Sequence, residues 1–259
     1  MNALNIRYEG ARATITLTQP EVRNAFSDAV IAEITAAFTE VGARPDVRAV
    51  VLAAEGPAFC AGANLNWMRR MADYTRSENL ADAAKLAQML RVIHECPQPT
   101  IARVQGDVYA GGMGLVAACD MAVCVDTAGF CLSEVKLGLI PATISPYVIR
   151  AMGARAAQRY FLTAERFDAF EALRIGFVHE VVAADQLDAR VDVLLKALTA
   201  ASPHAVRACK KLVHDVAERE IDAGLIAATV EAIADIRASD EGREGVQSFL
   251  QKRKPAWLG

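Results

Sequence analysis

Glu134 stands in the run Phe130-Cys131-Leu132-Ser133-Glu134-Val135-Lys136-Leu137-Gly138-Leu139-Ile140-Pro141, a carboxylate among mostly apolar neighbours. A carboxyl group in an apolar pocket is harder to ionise, so it can exchange a proton with water or with carbon. For a lone glutamate the commoner outcome is a surface ion pair, here with Lys136 or a nearby arginine. Two other runs are rich in small residues, Phe59-Cys60-Ala61-Gly62-Ala63-Asn64-Leu65 and Gln105-Gly106-Asp107-Val108-Tyr109-Ala110-Gly111-Gly112-Met113-Gly114. Small residues let a backbone approach another group closely, although they also simply make tight turns. At the C-terminus Lys252, Arg253 and Lys254 form a basic run that either meets phosphate or is solvated.

Several chemistries are excluded by pattern. Gly112-Met113-Gly114-Leu115-Val116-Ala117 fits G-x-G-x-x-A, with Glu134 at the distance of a ribose-binding acid. Too few residues follow Gly114 for a crossover helix and a full strand, and the run is not in the first βα unit, so dinucleotide binding is set aside. His94, His179, His204 and His214 make no ligand pair, and no G-x-S-x-G elbow exists, which removes metalloenzyme and serine hydrolase readings. His204 and His214 read as surface or packing residues. The six cysteines, Cys60, Cys96, Cys119, Cys124, Cys131 and Cys209, form neither metal-ligand pairs nor a disulfide scaffold. With no basic and apolar leader and no long apolar stretch, a cytoplasmic protein is expected. A net charge of −3 over 259 residues gives no general attraction for nucleic acid.

The elements that must position these runs alternate. Leu4 to Tyr8 and Ala13 to Thr18 read as a hairpin around Glu9 and Gly10. Ser27 can cap a helix carrying Val30, Ile34, Ala37, Phe38 and Val41 on one face and ending at Gly42. A buried strand from Val47 to Ala53 follows, then a helix from about Glu78 to His94 stopped by Pro97 and Pro99, and a strand from Thr100 to Val104. The glycine-rich turn, the apolar stretch Leu115 to Ala118 and a strand from Met121 to Val125 complete an α/β core. From about Asp185 the chain is almost wholly helix-forming, with Ser202-Pro203 as a helix start. This divides the chain into residues 1–184, a core carrying the site, and residues 185–259, a helical region that packs on the core or on a neighbouring subunit.

The two small-residue runs, the latter continuing to Cys119-Asp120, resemble the hallmark segments of the crotonase (enoyl-CoA hydratase/isomerase) family. The resemblance extends from Pro20-Glu21-Val22-Arg23-Asn24-Ala25 to Phe249-Leu250-Gln251-Lys252-Arg253-Lys254, with five motifs in the family's order and spacing. It implies a spiral of ββα units, a helical C-terminal region that caps and trimerises, and a homotrimer or a dimer of trimers. It also implies an acyl-CoA thioester substrate, with coenzyme A part of that substrate and no metal or redox cofactor. A thioester oxygen gains negative charge as its α-carbon becomes carbanion-like, and preorganised N–H groups stabilise that charge. The resemblance assigns those groups to Ala63 and Gly111, with Gly111 just ahead of a helix start, and the acid/base role to Glu134. It places coenzyme A along Arg23, Ala61 and Leu65, with Phe249 and Lys252 reaching in from the C-terminus, and gives Ala142 N–H to a water.

One departure stands out. Gly114 occupies the place, twenty residues before Glu134, where many family hydratases carry another catalytic glutamate. The segments Ala63 to Met68 and Phe130 to Tyr147 look like bacterial methylglutaconyl-CoA hydratases and terpene-degrading relatives, whose substrates carry a second carboxylate. On that resemblance Gly114 is expected to leave space for the substrate carboxylate or to avoid a like charge beside it, which a glutamate would introduce. Hydration of an α,β-unsaturated acyl-CoA is the reaction implied. The alternatives are double-bond isomerisation by Glu134 alone, and a non-catalytic acyl-CoA-binding or RNA-binding protein.

Overall fold

The computed structural model describes residues 3–258; Met1, Asn2 and Gly259, which the two-region division includes, lie outside the described residues. The chain opens with β1 (Leu4–Glu9) and β2 (Arg12–Leu17), an antiparallel hairpin whose second strand alternates half-buried and buried residues. α1 (Asp28–Gly42) is capped by the Ser27 hydroxyl, which accepts from Val30 N–H, and it buries Val30, Ile34, Ala37, Phe38 and Val41, the face expected from their spacing.

The chain then winds in repeating turns. Each turn lays one longer strand in a large sheet and one short strand in a small sheet, then leaves through a helix. The first turn is β3 (Ala49–Ala54), β4 (Ala58–Cys60), α2 (Leu65–Ala72) and α3 (Arg76–His94). The second is β5 (Thr100–Val104), β6 (Asp107–Tyr109) and α4 (Gly111–Ala118). The third is β7 (Met121–Val125), β8 (Gly129–Cys131), a 3-10 turn at Glu134–Leu137, and α5 (Ser145–Thr163), which breaks at Gly153 with φ 78° and ψ 152°. After β9 (Phe167–Asp168), α6 (Ala169–Arg174) and β10 (Glu180–Val182), the large sheet has the order β1-β2-β3-β5-β7-β10 and is parallel from β2 onward. The small sheet has the order β4-β6-β8-β9, with β9 antiparallel. All six residues of β3 are buried, as a parallel strand covered on both faces requires. This is the α/β spiral of ββα units that the motifs imply.

After β10 the described chain forms helices and 3-10 turns: α7 (Leu187–Ala200), α8 (Pro203–Val216), α9 (Ala223–Ala238) and α10 (Asp240–Leu250). α7 covers the large sheet, burying Leu187, Val191 and Leu195 against β5, β7 and β3. α8 starts at Ser202-Pro203 as expected, yet it buries no residue. Its anchor is polar. Lys210, whose side chain is 9% exposed, donates to Asp120 Oδ2 at 2.7 Å and to the Gln98 carbonyl at 3.2 Å. Asp120 also accepts from Thr100 N–H and its hydroxyl, joining β5 to the turn before β7. Beneath α8 lies a cavity of about 810 Å³ lined by residues such as Val116, Ala117, Tyr147, Phe177 and Val213; none of the sequence-predicted site residues lines it.

Candidate active site

The repeat places the three central residues. Ala63 follows β4, Gly111 follows β6 and Glu134 follows β8, each two or three residues past the short strand of its turn. Because β4, β6 and β8 are successive parallel neighbours, with strands about 4.8 Å apart, the three residues stack on adjacent rungs. The spiral thus assembles from residues 63, 111 and 134 a cluster that is local in space and remote in sequence.

Tight contacts hold the first two rungs together. Gly62 has φ +86°, and a Cβ there would lie 2.9 Å from Ala110 Cβ and 3.6 Å from Gly111 N. A Cβ on Gly111 would meet Phe26 Cε2 at 2.6 Å, and one on Gly112 would meet the Cys60 carbonyl at 2.7 Å. These two positions have room for hydrogen only. Phe26 bridges the same point from the other side: its N–H donates to Gly62 O at 2.7 Å and its carbonyl accepts from Asn64 N–H at 2.7 Å. Asn24, buried, ties the preceding loop by donating to the carbonyls of Glu55 and Ala58 and accepting from Gln19 N–H. The chain enters α4 through Ala110 at φ 47° and ψ −120°, a conformation costing about 1–3 kcal/mol for a residue with a Cβ. Ala110 N–H donates to the Cys131 carbonyl at 2.8 Å, which fastens the second rung to the third.

The result is two backbone donors with no partner. Among the described residues, neither Ala63 N–H nor Gly111 N–H donates a hydrogen bond. Gly111 is itself the first residue of α4, rather than a residue ahead of it, so its N–H belongs to the positive end of the helix dipole. Such a pair can stabilise an oxygen that becomes negative during reaction.

On the third rung Glu134 Oε2 is buried and has no hydrogen-bond partner. Among the described residues no ion pair reaches it, and Lys136 is exposed, so the surface-pair reading does not describe this carboxylate. Burial pushes its pKa up, and its own backbone N–H opposes that only in part. A carboxyl group held this way has an oxygen free to take a proton and to return it.

The remaining predicted residues fall into two groups and two corrections. Arg23, with φ 53°, accepts a bond from Ala61 N–H at 3.0 Å, and Leu65, 69% exposed, opens α2 just after its cap Asn64. Arg23, Ala61 and Leu65 therefore share the edge beside the first rung. Phe249, 81% exposed, lies in the last turn of α10, which packs on α9 and α8, and Lys252 follows just beyond its C-cap; no hydrogen bond among the described residues joins them to that edge.

The first correction concerns Gly114. The space beside it is filled: a Cβ there would collide with Ile144 Cγ2 and lie 2.9 Å from Ile144 Cβ and 3.3 Å from Leu90 Cδ2. The glycine admits a neighbouring side chain, not a substrate carboxylate. The second concerns Ala142, whose N–H donates to the Ile140 carbonyl at 2.8 Å and is not free to hold water. Sequence reasoning did not single out Phe26 or Ile144. Phe26 follows the Arg23-Asn24-Ala25 motif directly, whereas no sequence signal pairs Ile144 with Gly114, thirty positions away.

The model of the enoyl-CoA hydratase/isomerase family matches residues 7–259. An enoyl-CoA hydratase of Alternaria alternata is 32% identical over 263 residues, covering 99% of this chain and 84% of that protein. Among solved structures, an enoyl-CoA hydratase from Shewanella pealeana superimposes with a TM-score of 0.96 at 42% identity, covering 98% of this chain and 96% of the other. An enoyl-CoA hydratase from Mycobacterium smegmatis gives 0.93 at 35% identity, with 99% of each chain covered. Sequence, spiral and superposition agree over nearly the full length, and the chain belongs to the enoyl-CoA hydratase/isomerase family of crotonase enzymes.

Proposed function

We propose that this enzyme adds water reversibly to the double bond of an α,β-unsaturated acyl-CoA. The observation that carries the reading is the unpartnered, buried Glu134 oxygen stacked one rung from the free Gly111 N–H and two from that of Ala63. The thioester oxygen accepts from both N–H groups. Glu134 takes a proton from water as the hydroxyl bonds to the β-carbon, and the π electrons move onto the thioester oxygen as an enolate. Glu134 then returns the proton to the α-carbon on the same face, and the carbonyl re-forms. Atoms and charge balance with water alone, so the scheme needs neither a metal nor a redox cofactor.

Coenzyme A is assigned to the edge at Arg23, Ala61 and Leu65, with Phe249 and Lys252 supplied by a neighbouring copy in a trimer or a dimer of trimers. The support for assembly is the apolar surface left on the C-terminal helices, including Leu212, Val213, Ile226, Val230, Ile233 and Phe249. Methylglutaconyl-CoA or a related branched or carboxylated thioester is the candidate acyl group, and any second carboxylate must sit elsewhere than beside Gly114. One observation favours a second reading: position 114 supplies no second carboxylate and its space is closed, which suits double-bond isomerisation by Glu134 alone.

The test is spectroscopic, on straight, branched and carboxylated enoyl-CoAs. Loss of the conjugated-thioester absorbance reports hydration, and its gain from a 3-enoyl-CoA reports isomerisation. An enzyme inert to all of them, or one that binds RNA in a salt-sensitive way without turning over thioesters, would overturn the proposal.

A further inference from the structure

Gly114 lies three residues, nearly one turn, beyond Gly111 on α4, so the two share a face. A helical side chain leans toward the N-terminus, over the preceding turn. The volume that a side chain at 114 would fill therefore lies over the turn that presents the Gly111 N–H. Ile144 fills it, with Leu90 behind, and both are buried, Ile144 at 2% exposure.

Ile144 is fixed there by its backbone. It precedes α5 directly, and its carbonyl accepts from Tyr147 and Val148 N–H, each at 3.1 Å. The nine residues between Glu134 and Ile144 are drawn in by three local bonds: Leu139 N–H to Glu134 O, Ala142 N–H to Ile140 O, and Ser145 N–H to Ala142 O. One segment thus carries the carboxylate on one side and, on the other, an apolar side chain lodged against the helix of the free N–H.

We infer that Ile144 is a specificity-determining residue: it closes the acyl side of the site, limits the bulk that side admits, and bars a second carboxylate from position 114. The inference rests on the proposed acyl-CoA reading in taking the thioester to lie at Gly111 and Glu134. Glycine at 114 and isoleucine at 144 are then one unit, since a β-carbon at 114 and a γ-methyl at 144 exclude each other.

The experiment measures binding and turnover separately. Wild type, Ile144→Val and Ile144→Ala are titrated calorimetrically with butyryl-CoA and octanoyl-CoA, saturated thioesters that cannot react. The ratio of the two dissociation constants should shift toward octanoyl-CoA by at least about tenfold in Ile144→Ala and in the same direction by less in Ile144→Val, the range that one or more methylenes of pocket volume produce. An unchanged ratio in either variant, if its melting temperature shows it folded, overturns the inference. Ile144→Val removes a single methyl and keeps the test available should Ile144→Ala unfold. A second arm compares Gly114→Glu with Gly114→Glu/Ile144→Ala: the single variant should lose acyl-CoA binding or fold, and the double should recover at least about tenfold of the affinity. A folded Gly114→Glu with wild-type affinity also overturns it. Turnover of enoyl-CoA by the wild type, scored in parallel, tests the reaction itself, so the two failures are distinguishable.

Discussion

Replacing Gly111 by alanine tests the geometry at its tightest point. The added Cβ would stand 2.6 Å from Phe26 Cε2 and 3.1 Å from Cδ2, where ordinary contact begins at 3.4 Å. Either the ring or the start of α4 must give by about 0.8 Å. Phe26 is buried and its backbone is bonded on both sides to the Gly62–Asn64 loop, so the ring has nowhere to turn and α4 takes up the shift. A misplacement near 1 Å costs on the order of a hundredfold in rate, and loss of one oxyanion donor about 10²–10³-fold. The expected fall in kcat is therefore about 10²–10³-fold, or roughly 2.7–4 kcal/mol in transition-state stabilisation, with affinity for free coenzyme A little changed. The assay is steady-state hydration of an enoyl-CoA, with coenzyme A binding by calorimetry and a melting curve as controls. Adding Phe26→Leu, which removes the colliding ring carbon, should restore at least about tenfold. A folded Gly111→Ala enzyme within threefold of wild type would refute the argument that this N–H and its position carry the chemistry.

Four further outcomes are expected. Glu134→Gln should lower kcat by at least about 100-fold with little change in KM, because the amide keeps the shape and loses proton exchange. The same variant should gain stability over wild type as pH rises: the folded pKa of Glu134 is raised, so its favourable contribution is present at low pH and is lost as pH climbs through that folded pKa. A constant difference in melting temperature between the two proteins across pH would contradict the burial of this carboxylate. Lys252→Ala should raise the KM for acyl-CoA roughly two- to five-fold at low salt and less at high salt, as an exposed cation facing phosphate does; an effect independent of salt returns the tail to bulk solvent. His94, stacked on His214 at 4.2 Å, has its pKa lowered to about 4, first by burial and then by the His214 charge. A depressed histidine contributes stability that is full above its unfolded pKa of about 6.5 and is lost as pH falls through the folded value. Melting temperature should therefore drop between about pH 6.5 and 4, and His94→Phe should flatten that slope; parallel pH curves for the two proteins would count against it.

Elements with long, periodic faces were legible in the sequence. The face of α1, the Ser27 and Ser202-Pro203 starts, and the strands at Thr100–Val104 and Met121–Val125 stand where pattern and capping put them. α3 starts at Arg76, two residues before the expected point, because Thr75 and Glu78 form a capping box that the spacing T-x-x-E already signals. β4, β6 and β8 were not legible: three residues cannot show a period, and their pairing is with one another across some twenty to fifty positions. α2 escaped for a related reason, since its one buried residue, Trp67, gives no stripe. In the site, the motifs drew attention to residues 63, 111 and 134, but the isolation of Glu134 Oε2 and the contact of Ile144 with Gly114 are products of chain packing. A glycine in a sequence says that a side chain is absent. It does not say what occupies the vacated volume.

The rung arrangement has a bearing on how such a chain can change. In a stacked array each layer leans mainly on its immediate neighbours, so stability is close to a sum of layer and junction contributions. The positions after β4, β6 and β8 correspond to within one residue, yet in the proposed reaction two of them act only through main-chain N–H groups and one through a side chain. On that proposal, grip on an oxyanion is written into the winding of the backbone, which most substitutions leave alone, and proton transfer into a single replaceable letter on the last layer. A lineage of such chains could exchange that letter, or the side chain lodged ten positions after it, and acquire a different reaction while inheriting the anion grip intact.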